Sequence, residues 1–158
     1  MKRYLLLLIL IVLLQNLLAV DSPMRTGLAR LQYDGGGDWY NDPEVLPNLA
    51  KYAGTTLGAS FPIDQVTVKA SDPKLFDYPF LYLTGHGNIR FSEKEIENLR
   101  LWMLRGGFLY ADDDYGMDQS FRREIKRIFP ERELIELDSG HPLFNSFFSF
   151  PAGIPKIH

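Results

Sequence analysis

Apolar residues along this chain alternate between short continuous runs and stretches of helical spacing. Leu28-Ala29-Arg30-Leu31-Gln32-Tyr33, Val66-Thr67-Val68-Lys69, Phe80-Leu81-Tyr82-Leu83-Thr84, Gly107 to Ala111 and Leu134-Ile135-Glu136-Leu137 read as five strands. Phe80 to Thr84 is apolar on both faces, as expected of a strand covered by helices on each side. Between the strands lie three helical stretches. The first runs from Asp42 to about Thr56, with Asp42 as N-cap and Pro43 at the first position. A second starts at Ser92, where Ser92-Glu93-Lys94-Glu95 forms a capping box, and places Ile96, Leu99, Trp102 and Met103 on one side before Gly106-Gly107. In the third, capped by Asp118, Phe121, Ile125, Ile128 and Phe129 share a face and Pro130 closes the segment. Its opposite face holds Arg122, Arg123, Lys126 and Arg127, a solvated basic face.

Strand and helix in alternation imply right-handed crossovers and an α/β three-layer sandwich. The expected sheet is mostly parallel and flavodoxin-like, in the order 2-1-3-4-5. In that order the first and third strands flank the switch point, where open α/β sheets bind ligands. Three of the apolar runs end there in polar clusters: Asp34-Gly35-Gly36-Gly37-Asp38, Thr84-Gly85-His86-Gly87 and Asp112-Asp113-Asp114.

Composition narrows the chemistry. At 158 residues with 46% apolar side chains, the chain has room for one domain with a real core. Lys2 and Arg3 before the apolar run Tyr4 to Leu14, followed by Ala19 and Asp21-Ser22-Pro23, read residues 1–20 as a secretory signal or an uncleaved N-terminal anchor. The expected location is therefore periplasmic or secreted, or anchored with membrane contact through residues 1–20 alone. Without Lys2 and Arg3 the balance of 15 basic and 20 acidic side chains is −5, which argues against nucleic-acid binding. The absence of cysteine excludes disulfides, thiolate metal sites and a cysteine nucleophile. From His141 onward the chain is rich in Phe, Pro and Gly, has the look of a long loop or flap, and stops before a closing helix, so a truncated C-terminus is expected.

Each cluster offers candidates. On extended backbone Asp112 and Asp114 share one side and Asp113 faces the other. Beside His86, that pair could hold a divalent cation (magnesium, manganese or calcium) or work as an acid/base pair; equally, the aspartates could serve as turn and cap residues. His86 stands between Gly85 and Gly87, free to act as general base or metal ligand, or simply to bond a neighbouring carbonyl. Gly35-Gly36-Gly37 lacks the lysine and hydroxyl of a phosphate loop and is better read as a turn, with Gly36 as backbone to a ligand. Trp39 and Tyr40 offer an aromatic platform or loop packing, and Asp34 and Asp38 add carboxylates to the crevice.

The motifs Tyr33 to Tyr40, Tyr82-Leu83-Thr84-Gly85-His86-Gly87, Gly106-Gly107-Phe108-Leu109 with Asp112 to Gly116, and His141-Pro142-Leu143-Phe144 resemble the DUF4159 family over residues 26–158. That family groups exported or membrane-linked bacterial domains. The resemblance implies a single domain of the class I glutamine amidotransferase-like fold and brings no established activity. Where amidotransferases carry Cys-Tyr-Gly after the Gly-Gly strand, this chain reads Asp114-Tyr115-Gly116, and no Gly-x-Ser-x-Gly replaces it. Two functions remain open. One is an exported module binding a small ligand or an envelope protein through Asp34, Gly36, Asp38, Trp39, Tyr40, Gly85 and Gly87. The other is a metal-assisted hydrolase acting on a glycan or peptide through His86, Asp112 and Asp114.

Overall fold

The computed structural model describes residues 27–58, 60–62 and 65–150. The leader at residues 1–20, the C-terminal boundary and His158 lie outside them. The order is β1 (Leu28–Gln32), α1 (Val45–Leu57), β2 (Val66–Lys69), a 3-10 turn (Pro73–Asp77), β3 (Phe80–His86), α2 (Glu93–Leu104), β4 (Phe108–Tyr115), α3 (Asp118–Ile128) and a second 3-10 turn (Pro142–Asn145). Four strands pair in parallel in the order β2-β1-β3-β4. This is the expected order without its fifth member. Among the described residues Leu134 to Leu137 pairs with no strand, and Leu134 and Ile135 are exposed.

One sheet face carries the main core. Ala29, Leu31, Leu81 and Leu83 pack there with Phe91, Ile96, Leu99 and Trp102 from α2 and its approach, and with Ile128 and Phe129 at the end of α3. Burying side chains of this size contributes about 2 kcal/mol apiece, which makes this face the mechanical base of the site. The other face presents Arg30, Tyr82 and Thr84. It is joined at β1 by α1, whose Leu46 and Ala50 are buried.

Helix entries show where local signals prevailed. Ser92 caps α2 as the spacing predicts: its hydroxyl accepts from the Glu95 amide, and the Glu95 carboxylate accepts from the Ser92 amide at 2.9 Å. At α1 the expected Asp42 cap is replaced. Asp42 takes a left-handed φ of 51°, its carbonyl is drawn to Arg30, and the helix begins at Val45 after an uncapped Glu44. The α3 cap is also displaced. Asp118 is the first helical residue, and Asp113 from the end of β4 accepts from the amides of Met117 and Asp118 at 2.8 and 2.9 Å. Asp118 instead pairs with Arg122, 2.7 Å away and one turn on.

Candidate functional site

The carboxyl edge of the sheet is organised by the loop between β1 and α1. Arg30 projects from the middle of β1 and is 1% exposed. Its guanidinium donates to the carbonyls of Trp39 (3.0 Å), Asn41 and Asp42 (2.7 Å), and it stacks over the Tyr82 ring at 5.6 Å. Burial lowers its pKa, but an arginine starts so high that it keeps its charge. A cation inside the domain thus replaces water for three loop carbonyls and sets the course of the loop.

Two side-chain bonds fasten the same loop to the strand ends. Asp38 accepts from the backbone amide of His86 at the tip of β3, and its Oδ2 lies 3.0 Å from His86 Nδ1. Asn41 donates its side-chain amide to Asp114 on β4. The backbone of Gly85 makes this approach possible. Its φ is +135°, and a Cβ there would lie 2.5 Å from the Tyr33 hydroxyl and 2.9 Å from the Asp38 carbonyl. Gly37 is equally constrained, with a Cβ position 2.8 Å from the His86 carbonyl. Tyr33 donates to the Thr84 carbonyl at 3.0 Å; burial first, then Asp38 and Asp114, push its phenol up to about 12. It therefore stays protonated and acts as a strut.

The ionisable groups fall into two sets. The hydrogen bond to Asp38 holds the His86 imidazole above its ordinary pKa, despite some desolvation, and the field of Asp38, Asp114 and Asp42 adds to it. Asp38 moves the opposite way, chiefly because the His86 amide bonds its ionised form. Asp42 is raised, first by desolvation and then by a hydrogen bond with Asp114 and the field of Asp114 and Asp112. The sheet edge thus holds a hydrogen-bonded histidine–carboxylate pair on one side and, on the other, a carboxyl group that ionises reluctantly.

The proposed residues separate accordingly. Asp112 and Asp114 stand close enough to Asp42 to raise its pKa, after desolvation, whereas Asp113 turns away to cap α3. His86 bonds Asp38 rather than joining Asp112 and Asp114 in one ligand set. Among the described residues no group of three or more His, Asp or Glu side chains is placed to hold a metal ion. Trp39 packs partly buried against the core, and its neighbour Tyr40, 65% exposed, sets its ring edge-to-face on Trp39 at 5.6 Å. Gly85 and Gly87 carry the positive-φ turn around His86, and Gly36 sits in open space with φ +93°. Asp34 stands apart: it meets Lys69 at 3.5 Å and pairs through its backbone with Arg90, beside a cavity of about 590 Å³ lined by Gly35, Phe91, Glu93 and Arg127. His141 accepts from the Leu143 amide in the second 3-10 turn.

The part Arg30, Asn41 and Asp42 play at this edge is not legible from the sequence pattern, which gives Arg30 a place in β1 and Asp42 a helix cap. The available signal was a single arginine in the centre of an otherwise apolar strand, a position that requires a buried set of acceptors.

This parallel α/β sheet with an acidic carboxyl edge falls within a recognised family. The profile described as "Domain of unknown function (DUF4159)" matches residues 27–158, and the chain belongs to that family. Comparison with curated proteins gives no match.

Proposed function

We propose that this chain is an exported binding module whose site is the crevice between the loop at residues 38–42 and the ends of β3 and β4. It recognises a small ligand or a partner group bearing ammonium or clustered hydroxyl groups. The observation that carries this reading is the threefold fastening of the loop by Arg30, by the Asp38–His86 pair and by the Asn41–Asp114 bond. A site held in advance loses little ordering entropy on binding. Asp42, Asp112 and Asp114 supply acceptors, Tyr40 an exposed ring, and His86 a donor. Export rests on the character of residues 1–20, and the flavodoxin-like and amidotransferase-like likeness on the strand order and the Gly-Gly entry to β4. With Asp114-Tyr115-Gly116 in place of Cys-Tyr-Gly, that likeness carries no glutaminase chemistry.

A matched pair of sugars tests the reading. Calorimetric titration with a glucosamine hexamer and with its neutral N-acetylated counterpart should give saturable binding of the cationic form, lost in Asp112→Asn/Asp114→Asn. Equal binding of both, or binding indifferent to the double substitution, contradicts it.

The Asp38–His86 pair favours a second reading. A histidine oriented by a carboxylate is the arrangement of a general base, so a hydrolase acting on a glycan or peptide would use His86 to activate water. Turnover abolished by His86→Gln, with ligand binding intact, would distinguish it from a pure binding module.

A further inference from the structure

The α1-side face of the sheet carries an aromatic ladder that the described helices leave open. Phe80 stacks on Phe108 with ring centroids 5.8 Å apart, and Tyr82 on Tyr110 at 6.0 Å, each pair joined in register across β3 and β4. Tyr82 is sealed beneath Arg30, but Phe108 and Tyr110 are 49% and 50% exposed. Among the described residues α1 is the one helix on this side, and it stands at β1. Parallel sheets are stable with both faces covered, ordinarily by helices. An exposed apolar patch on such a face marks an interaction surface.

The ladder has a charged end. Two residues beyond Tyr82 and Tyr110, on the same face, come Thr84 and Asp112, and Asp114 follows at a bulge where the register with β3 shifts. Burial first and then Asp112 raise the Tyr110 phenol; burial also raises that of Tyr82, against a hydrogen bond from Thr84, with Asp112, Asp42 and Asp114 adding to it. Among the described residues Arg30 is the cation stacked on the ladder; it is buried and committed to backbone carbonyls, and none of their ion pairs engages Asp112 or Asp114.

We propose that the aromatic face formed by Phe80, Phe108 and Tyr110, ending at Asp112 and Asp114, is a docking surface for a partner protein's amphipathic helix with an apolar stripe and a lysine- or arginine-bearing end. The match is one of shape and sign. From Phe108 to Asp114 the strand runs roughly 20 Å, the length of about 13 helical residues. A helix laid along it covers the two exposed rings and brings its basic end to the carboxylates. Like charge at that end is repelled, which fixes the partner's direction on the sheet. The surface shares Asp112 and Asp114 with the proposed small-ligand site but adds the rings, so a loss of peptide binding in the ring variants alone leaves the small-ligand reading standing.

The test uses the full-length chain and two synthetic helical peptides of about 15 residues. Both carry leucines at every third and fourth position; one ends in three lysines, its twin in three glutamates. Fluorescence anisotropy should show saturable binding of the lysine peptide, with the glutamate peptide weaker by about tenfold or more. Phe108→Ser/Tyr110→Ser and Asp112→Asn/Asp114→Asn should each lose about tenfold. Tyr110→Ser alone, a change at a half-exposed ring, serves if the ring double variant does not fold, and should weaken binding in the same direction. The proposal is overturned by no binding, by equal affinity for the two peptides, or by affinity unchanged in the ring variants. It is also overturned if the wild-type chain sediments as a dimer that the ring substitutions dissociate, for then a second copy covers the face.

Discussion

His86 Nδ1 lies 3.0 Å from Asp38 Oδ2, and the same aspartate accepts the His86 backbone amide, so one carboxylate holds both the ring and the main chain of a residue 48 positions away. The pair bridges the loop after β1 and the tip of β3, neighbouring strands in the sheet. It joins the two sides of the switch point and orients an imidazole whose side chain is 51% exposed.

This pair makes stability depend on pH in a definite direction. The folded state raises the His86 pKa above its ordinary 6.5, so its contribution is fully present below about 6.5 and fades as pH rises through the folded value. Asp38 is lowered from 3.8; its contribution is present above that and is lost as pH falls through the folded value. Thermal melts should show the wild-type advantage over Asp38→Asn greatest between pH 4.5 and 6, roughly, and smaller on both sides. An advantage that grows steadily from pH 6 to 9 contradicts the assignment.

Asp42 carries the opposite sign. Desolvation and Asp114 hold it above the ordinary carboxylate value, so its ionisation opposes folding above that range and the penalty vanishes at low pH. Asp42→Asn should raise the melting temperature at pH 7 and leave it unchanged near pH 3. Asparagine also tolerates the left-handed backbone at this position, which keeps the comparison clean.

Arg30 is the buried peg of the site. Arg30→Met keeps much of the side-chain volume but leaves the carbonyls of Trp39, Asn41 and Asp42 without their donor, at a cost of about 3 kcal/mol in denaturant unfolding. Amide exchange should rise in residues 38–42 well before it rises in α2. Uniform loosening of the whole sheet would mean that the arginine supports the core rather than the loop.

Two glycines should respond unequally to alanine. Gly85→Ala forces a Cβ to within 2.5 Å of the Tyr33 hydroxyl at a φ of +135°, for a loss of about 3 kcal/mol and a displaced His86. Gly36→Ala has the strained φ alone, with nothing within 4 Å, and should cost about 1 kcal/mol. Chemical denaturation of the two variants separates close approach from conformational preference.

Asp113 separates architecture from chemistry within the aspartate run. Asp113→Ala removes the acceptor for two amides at the start of α3 and should destabilise by about 1 kcal/mol while leaving ligand affinity unchanged. Asp112→Asn should do the reverse. Calorimetry on both variants, beside their melts, gives the comparison.

Much of this could be read along the chain. The four strands, their parallel order and the Ser92 capping box follow from periodicity and local hydrogen bonding, and the alternation of Asp112, Asp113 and Asp114 foretells that the middle one faces away. What the pattern could not give were long-range decisions. Leu134 to Leu137 has a strand's composition, yet pairing depends on how the chain leaves α3, and here Phe129 accepts the Arg132 amide in a turn and the segment stays exposed. Asp42 has the look of a helix cap until a buried arginine 12 residues earlier takes its carbonyl. The place of His86 at the carboxyl end of β3 was legible, but its partner proved to be Asp38, because Gly37 and Gly85 let the two backbones approach within what any side chain would forbid.

The central claim is that the crevice recognises positive or hydroxyl-bearing groups through carboxylates held in advance by the β1–α1 loop. The most direct measurement is titration of wild type, Asp112→Asn/Asp114→Asn and Arg30→Met with the glucosamine hexamer at low and high salt. Saturable binding that weakens with salt, disappears in the aspartate variant and loses at least about tenfold in Arg30→Met is the predicted result. Binding by the wild type that survives loss of both aspartates contradicts it.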